Sequence, residues 1–93
     1  MRDDRYSRLF FLGQIVATPG ALAATTREER EVFLYRHQIG SWEETCREDR
    51  MENTLALFHQ MRILTVHTAS GGKIWVITEA DRSVTTILTP EEY

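Results

Sequence analysis

Two side chains of this sequence have the types that acid–base chemistry on a phosphate would use. His37 is the kind of group that titrates near neutral pH and serves as a general acid or base. Arg82 carries a planar, permanently charged fork suited to a phosphate, and Arg36, beside His37, offers a second one. Arg82 lies in Glu79-Ala80-Asp81-Arg82-Ser83, a turn between two strongly patterned strands, where a rigid scaffold presents a loop side chain to solvent. Each residue also has a plainer use. His37 stands just before Gly40, at a helix end, where a cationic imidazole complements the C-terminal dipole by about 0.3–1 kcal/mol. Arg82 can pair with Asp81 or Glu79 for under about 1 kcal/mol.

The remaining polar candidates point to binding. His67 falls on a half-polar strand face, where it could meet His37 across the molecule, and His59 closes an acidic helix. Trp42, followed by Glu43 and Glu44, is either an anchor between helices or a contact residue. Arg36, Trp42, Glu43, Glu44, His67 and Arg82 are therefore the expected partner-binding residues. A metal site needs several ligands at short spacing, and one cysteine with three scattered histidines makes no such pattern, so no metal and no cofactor are expected. Cys46 reads as a core residue. No glycine-rich phosphate loop, nucleophile elbow or paired-carboxylate motif occurs.

The elements that must position these residues follow from caps and periodicity. Phe10–Ala17 is a short apolar run that fits a buried first strand, with Gly13 as a bulge. Thr18 and Pro19 open a brief helical turn. Thr26 and Glu29 form a capping box for a helix over residues 27–38, which Gly40 stops. Ser41 and Glu44 suggest a second box, leading into an acidic helix whose Trp42 and Cys46, then Met51, Leu55 and Phe58, form a stripe facing a core. Asp49 with Glu52 is a further cap within it.

From Arg62 the period changes from 3.6 to 2. Residues 62–68 and 73–79 flank a turn with paired glycines, and a second turn at 80–83 leads to a strand over 84–89, ended by Pro90. The expected fold is α+β: two to three N-terminal and central helices on one face of a three- to four-stranded antiparallel sheet, with the C-terminal meander as its body. Register arithmetic places Leu64, Val66, Trp75, Ile77, Val84 and Leu88 on one face, expected to be the core. Thr65, His67, Thr78, Thr85 and Thr89 share the other with Ile63, Ile74, Val76 and Ile87; that face is expected to be solvated or a docking surface.

Composition narrows the class. The 93 residues, 42% hydrophobic and 27% charged, fit a single domain over 1–93, with residues 1–8 as a flexible N-terminal segment. A core of this size is thin, and association would strengthen it. No apolar run approaches a membrane span or a signal-peptide core, so a cytoplasmic protein is expected. A net charge of −3 gives no general attraction to nucleic acid, which leaves only local contact, through residues such as Arg36, Arg62 and Arg82. The acidic excess concentrates in residues 27–52, with five Arg against eight Asp or Glu.

Gly13–Leu22, Arg36-His37 with Gly40-Ser41-Trp42, and Ile74–Ser83 through Thr85–Tyr93 resemble a family of small, uncharacterised plasmid- and phage-borne bacterial proteins. Where that family would show Asp-Trp-Gly, this chain has Ser41-Trp42-Glu43. The resemblance implies an accessory protein of a mobile element that binds a host protein or a protein–nucleic-acid complex, as inhibitors of host defence such as anti-CRISPR and anti-restriction proteins do; a homodimer is a further option. The architecture is also similar to the small fold of RelE-type toxins and barnase-like phage nucleases. By position that likeness implies the alternative, a metal-independent ribonuclease in which His37, Arg82 and Thr85 share proton transfer and phosphate stabilisation.

Overall fold

A computed structural model describes residues 7–93; the first six residues of the expected flexible segment lie outside the described residues. The chain runs β1 (Gln14–Ala17), α1 (Pro19–Ala24), α2 (Arg27–Ile39), α3 (Arg47–His59), β2 (Ile63–Ala69), β3 (Gly72–Thr78), β4 (Val84–Leu88) and a closing 3-10 turn (Pro90–Glu92). The fold is α+β, with three α-helices and one four-stranded sheet among the described residues. No helix among the described residues is long and apolar enough to cross a membrane.

Local chemistry sets the first two helices. The Thr18 hydroxyl accepts from the Ala21 N–H with Pro19 in the first turn, and Thr26 and Glu29 form the reciprocal capping box of α2. Gly40 ends α2 at φ 85°, in the left-handed region that glycine enters without strain. The next helix starts later than its sequence suggests. Ser41 bonds Glu43 rather than capping, Glu44 turns away to Thr68 in β2, and α3 begins at Arg47 with Cys46 as its N-cap. Cys46 is consequently exposed and not a core residue. Asp49 starts no new helix, because α3 runs through it without a break.

The sheet order is β1-β4-β3-β2. β2–β3 and β3–β4 are antiparallel, as the meander requires, but β1 pairs with β4 in parallel, so the sheet is mixed and not antiparallel throughout. Three helices and a hairpin separate these two strands, ample chain for the crossover that parallel pairing demands. β1 is also shorter than the apolar run around it. Gly13, at φ 66°, turns the chain immediately before the strand and forms no bulge within it; a Cβ there would stand 2.3 Å from the Ser83 carbonyl oxygen. β1 is mostly exposed, against the expectation of a buried strand.

The core lies on the opposite side of the sheet from the one expected. The parity of the register is as predicted, with Val66 opposite Trp75 and Trp75 opposite Leu88. The helices nevertheless cover Ile63, Thr65, His67 and Ala69 of β2, Ile74, Val76 and Thr78 of β3, and Thr85 and Ile87 of β4, all of them buried. Hydrophobicity alone favours the other face, but the threonines and histidines bond to one another inside, which removes most of the cost of burying them. On the far face Ile77 and Leu88 are buried while Leu64, Val66, Trp75 and Val84 stay partly exposed, with Tyr93 edge-on to Trp75 at 5.3 Å.

α3 also turns a different side inward. Asn53 and Ala56 are its buried residues, because Asn53 must reach the backbone of β2, and the stripe of Met51, Leu55 and Phe58 points to solvent.

Candidate functional site

Three of the polar residues singled out in the sequence, His37, His67 and Thr85, meet in a buried relay completed by Thr65 and Thr78. The His37 ring lies between two strands, with Nδ1 2.6 Å from Thr65 Oγ1 and Nε2 2.8 Å from Thr78 Oγ1. Thr65 Oγ1 is 2.8 Å from His67 Nε2, and Thr78 Oγ1 is 2.7 Å from Thr85 Oγ1. Thr85 donates to the carbonyl of Leu12 at 2.7 Å. That last bond fixes the direction of all the others. A hydroxyl has one hydrogen, so Thr85 must accept from Thr78, and Thr78 must accept from the Nε2–H of His37. The neutral His37 ring then accepts at Nδ1 from Thr65, which accepts from the Nε2–H of His67. Every proton points one way along the row, and both histidines are neutral Nε2–H tautomers.

Electrostatics supports the same assignment. Burial, reinforced by repulsion from His67 when that ring is protonated and by the Arg82 charge, lowers the His37 pKa to about 3. Burial also lowers that of His67 to about 4, with Arg36 adding to the shift and Glu44 and Glu43 opposing it. Phe33 stacks on His67 at 4.9 Å and Phe10 stands edge-on to His37 at 5.2 Å, sealing the row between aromatic rings. Among the described residues no buried side-chain nitrogen or oxygen lacks a partner.

His37 and Thr85 thus come together, linked through Thr78, but His37 is wholly inaccessible and both its ring nitrogens are engaged. Arg82 joins from outside, its guanidinium 5.5 Å from the Phe10 ring. It sits at φ 62° and its Nη1 and Nη2 donate to the carbonyls of Met61, Glu79, Ala80 and Ala56, so the fork ties the β3–β4 turn to the end of α3. Trp42 is buried and donates to the His37 carbonyl at 2.9 Å. His67 is also interior, whereas Arg36 and Glu43 remain on the surface and Glu44 is spent on Thr68 and Lys73. No group of three or more His, Cys, Asp or Glu is placed to hold a metal among the described residues.

Two features escape a reading of sequence alone. Thr65 and Thr78 complete the relay, and their signal is modest: Thr78 and Thr85 are direct cross-strand partners and Thr65 is two residues from His67. The second is the outer side of α3. At 100° per residue, Met51, Leu55 and Phe58 fall within one narrow arc, and they are 58, 51 and 79% exposed. Exposed Glu48 and Glu52 flank that arc on one side and Arg47 on the other. Three large apolar side chains together on a surface helix form a contiguous patch of the kind that marks an interaction site.

Comparison with models of known protein families, with curated proteins and with solved structures found no match.

Proposed function

We propose that this protein is a binding module that docks a protein partner through the outer side of α3. The observation that carries this reading is the Met51, Leu55 and Phe58 stripe, more than half exposed on a helix whose inward side is already packed. Such a stripe suits an apolar groove, with Phe58 and Leu55 as anchors and Met51 as the adaptable contact. The flanking Glu48 and Glu52 call for basic residues on one rim of that groove. The resemblance to plasmid- and phage-borne accessory proteins makes a bacterial host protein the partner to look for, in keeping with an inhibitor of host defence.

The test uses the pair of substitutions Leu55→Gln and Phe58→Gln, which leave the inner side of α3 untouched. A partner captured by the wild type from nuclease-treated bacterial lysate should fall at least tenfold with the double variant, at unchanged thermal stability. Equal capture by both proteins overturns the reading. So does an RNA-cleavage activity that His37→Ala abolishes, which is the signature of the alternative nuclease.

A further inference from the structure

The two outer strands of the sheet are β1 and β2, and among the described residues only β2 has its outer edge occupied. The Leu64 N–H and C=O meet the Asn53 side chain at 3.0 and 2.7 Å, the Val66 N–H meets Thr45 Oγ1 at 3.0 Å, and the Thr68 N–H meets Glu44 Oε2 at 3.2 Å. At β1 the N–H groups of Gln14 and Thr18 reach β4, bonding the carbonyls of Ser83 and Ile87. Strand alternation then turns the N–H and C=O groups of Ile15 and Ala17 outward, and among the described residues nothing bonds to them. Proteins usually guard such an edge with Lys, Pro, a bulge or a covering element. Among the described residues the strand has none of these, and no charged residue occurs from Leu9 to Thr26. Ile15 and Val16 are 48 and 38% exposed beside it.

We infer that β1 is a homodimer interface, in which a second copy of this chain adds its own β1 in antiparallel orientation and continues the sheet to eight strands. The self-complementarity of the strand selects this occupant. With the two-fold axis between Val16 and its symmetry mate, Ile15 lies opposite Ala17 of the second copy, and Gln14 lies opposite Thr18. Apolar residues meet apolar ones and polar residues meet polar ones on both faces of the strand. Ile15 and Ala17 exchange both backbone bonds across the axis, and symmetry repeats the exchange, so all four outward groups of each copy are satisfied. Moving the axis to Ile15 would set Gln14 against Val16 and lose that match. The interface is independent of the α3 surface and stands or falls separately from it.

Val16 pairs with itself at a non-hydrogen-bonded position, so its side chain decides the test. Sedimentation and light scattering of the full chain should show twice the 10.8 kDa monomer mass at micromolar concentration. Val16→Lys and Val16→Glu should each be monomeric, because like charges then face one another, and mixing the two should restore the dimer. A second readout does not depend on those variants folding: in a Cys46→Ser background, Val16→Cys should form an intermolecular disulfide on mild oxidation. A wild-type protein that stays monomeric overturns the proposal. A dimer indifferent to Val16→Lys, or single variants whose mixture stays monomeric, overturns it equally.

Discussion

The β2 side and the β1 side of this sheet are held in opposite ways. β2 is fixed on every side: Asn53, Thr45 and Glu44 occupy its outer edge, and Thr65 and His67 tie its buried face to α2 through His37. β1 is held by its parallel pairing to β4 and, through Leu12 just ahead of it, by one hydroxyl of the relay, and among the described residues its outer edge is bare. A 93-residue chain has few apolar residues to spend, and here it uses polar side chains where a larger protein would use another strand or helix. The β2 side is thereby closed to further strands, and the β1 side is left for association.

Acid should break the guarded side first and by the largest amount. His37 and His67 ionise near pH 6.5 when unfolded but only near 3 and 4 when folded, so between those limits the unfolded chain binds protons that the native state refuses. Stability is therefore full above pH 6.5 and falls as pH is lowered, by about 1.4 kcal/mol per histidine and pH unit. Two histidines remove about 5 kcal/mol between pH 6.5 and 4.5, comparable to the whole stability of a small domain. Urea titrations across this range should show that slope, and His67→Gln, which keeps a donor for Thr65, should roughly halve it. An unchanged slope in that variant would mean the relay is not what holds the β2 side.

The next effects concern the edge itself. Asn53→Ala leaves both the N–H and the C=O of Leu64 without their partner and should cost about 2 kcal/mol, read as a lower urea midpoint. It should also give the molecule a second bare edge, so that dimers grow into larger assemblies visible by light scattering. Thr45→Val removes one acceptor, that of Val66, while keeping the shape of the side chain, and should cost about 1 kcal/mol without assembly. If the two variants assemble alike, Asn53 is not the residue that guards β2.

What was legible in the sequence, and what was not, follows the same division between local and distant causes. The Thr26 and Glu29 box, the Gly40 stop and the β2–β3–β4 meander are set by residues within a few positions of one another, and all form as the sequence suggests. The side of the sheet that faces the helices is not local. Alternation gives parity, and choosing between the two faces by hydrophobicity fails because Thr65, His67, Thr78 and Thr85 are cheap to bury only once His37 arrives from α2. The orientation of α3 is hidden for a related reason. Its spacing shows an apolar stripe at Met51, Leu55 and Phe58, but a single bond pair from Asn53 to Leu64, eleven residues away, rolls that stripe outward. His37 and Thr85 do end up in one cluster, linked through Thr78, yet the same cluster closes His37 to solvent.

The smallest effect is the most discriminating, because it changes no stability at all. Amide exchange reports hydrogen bonds one residue at a time. In the monomeric Val16→Lys protein, the Leu64 and Val66 amides, which donate to Asn53 and Thr45, should exchange slowly, whereas those of Ile15 and Ala17 should exchange nearly as fast as in an unfolded chain. In the wild type the Ile15 and Ala17 amides should become protected as concentration rises through the dimer range, while Leu64 and Val66 stay as they were. Protection of Ile15 and Ala17 at every concentration would place their partner within the same chain. The two edges would then be equally guarded, and the exposed stripe on α3 would be the surface left for a partner.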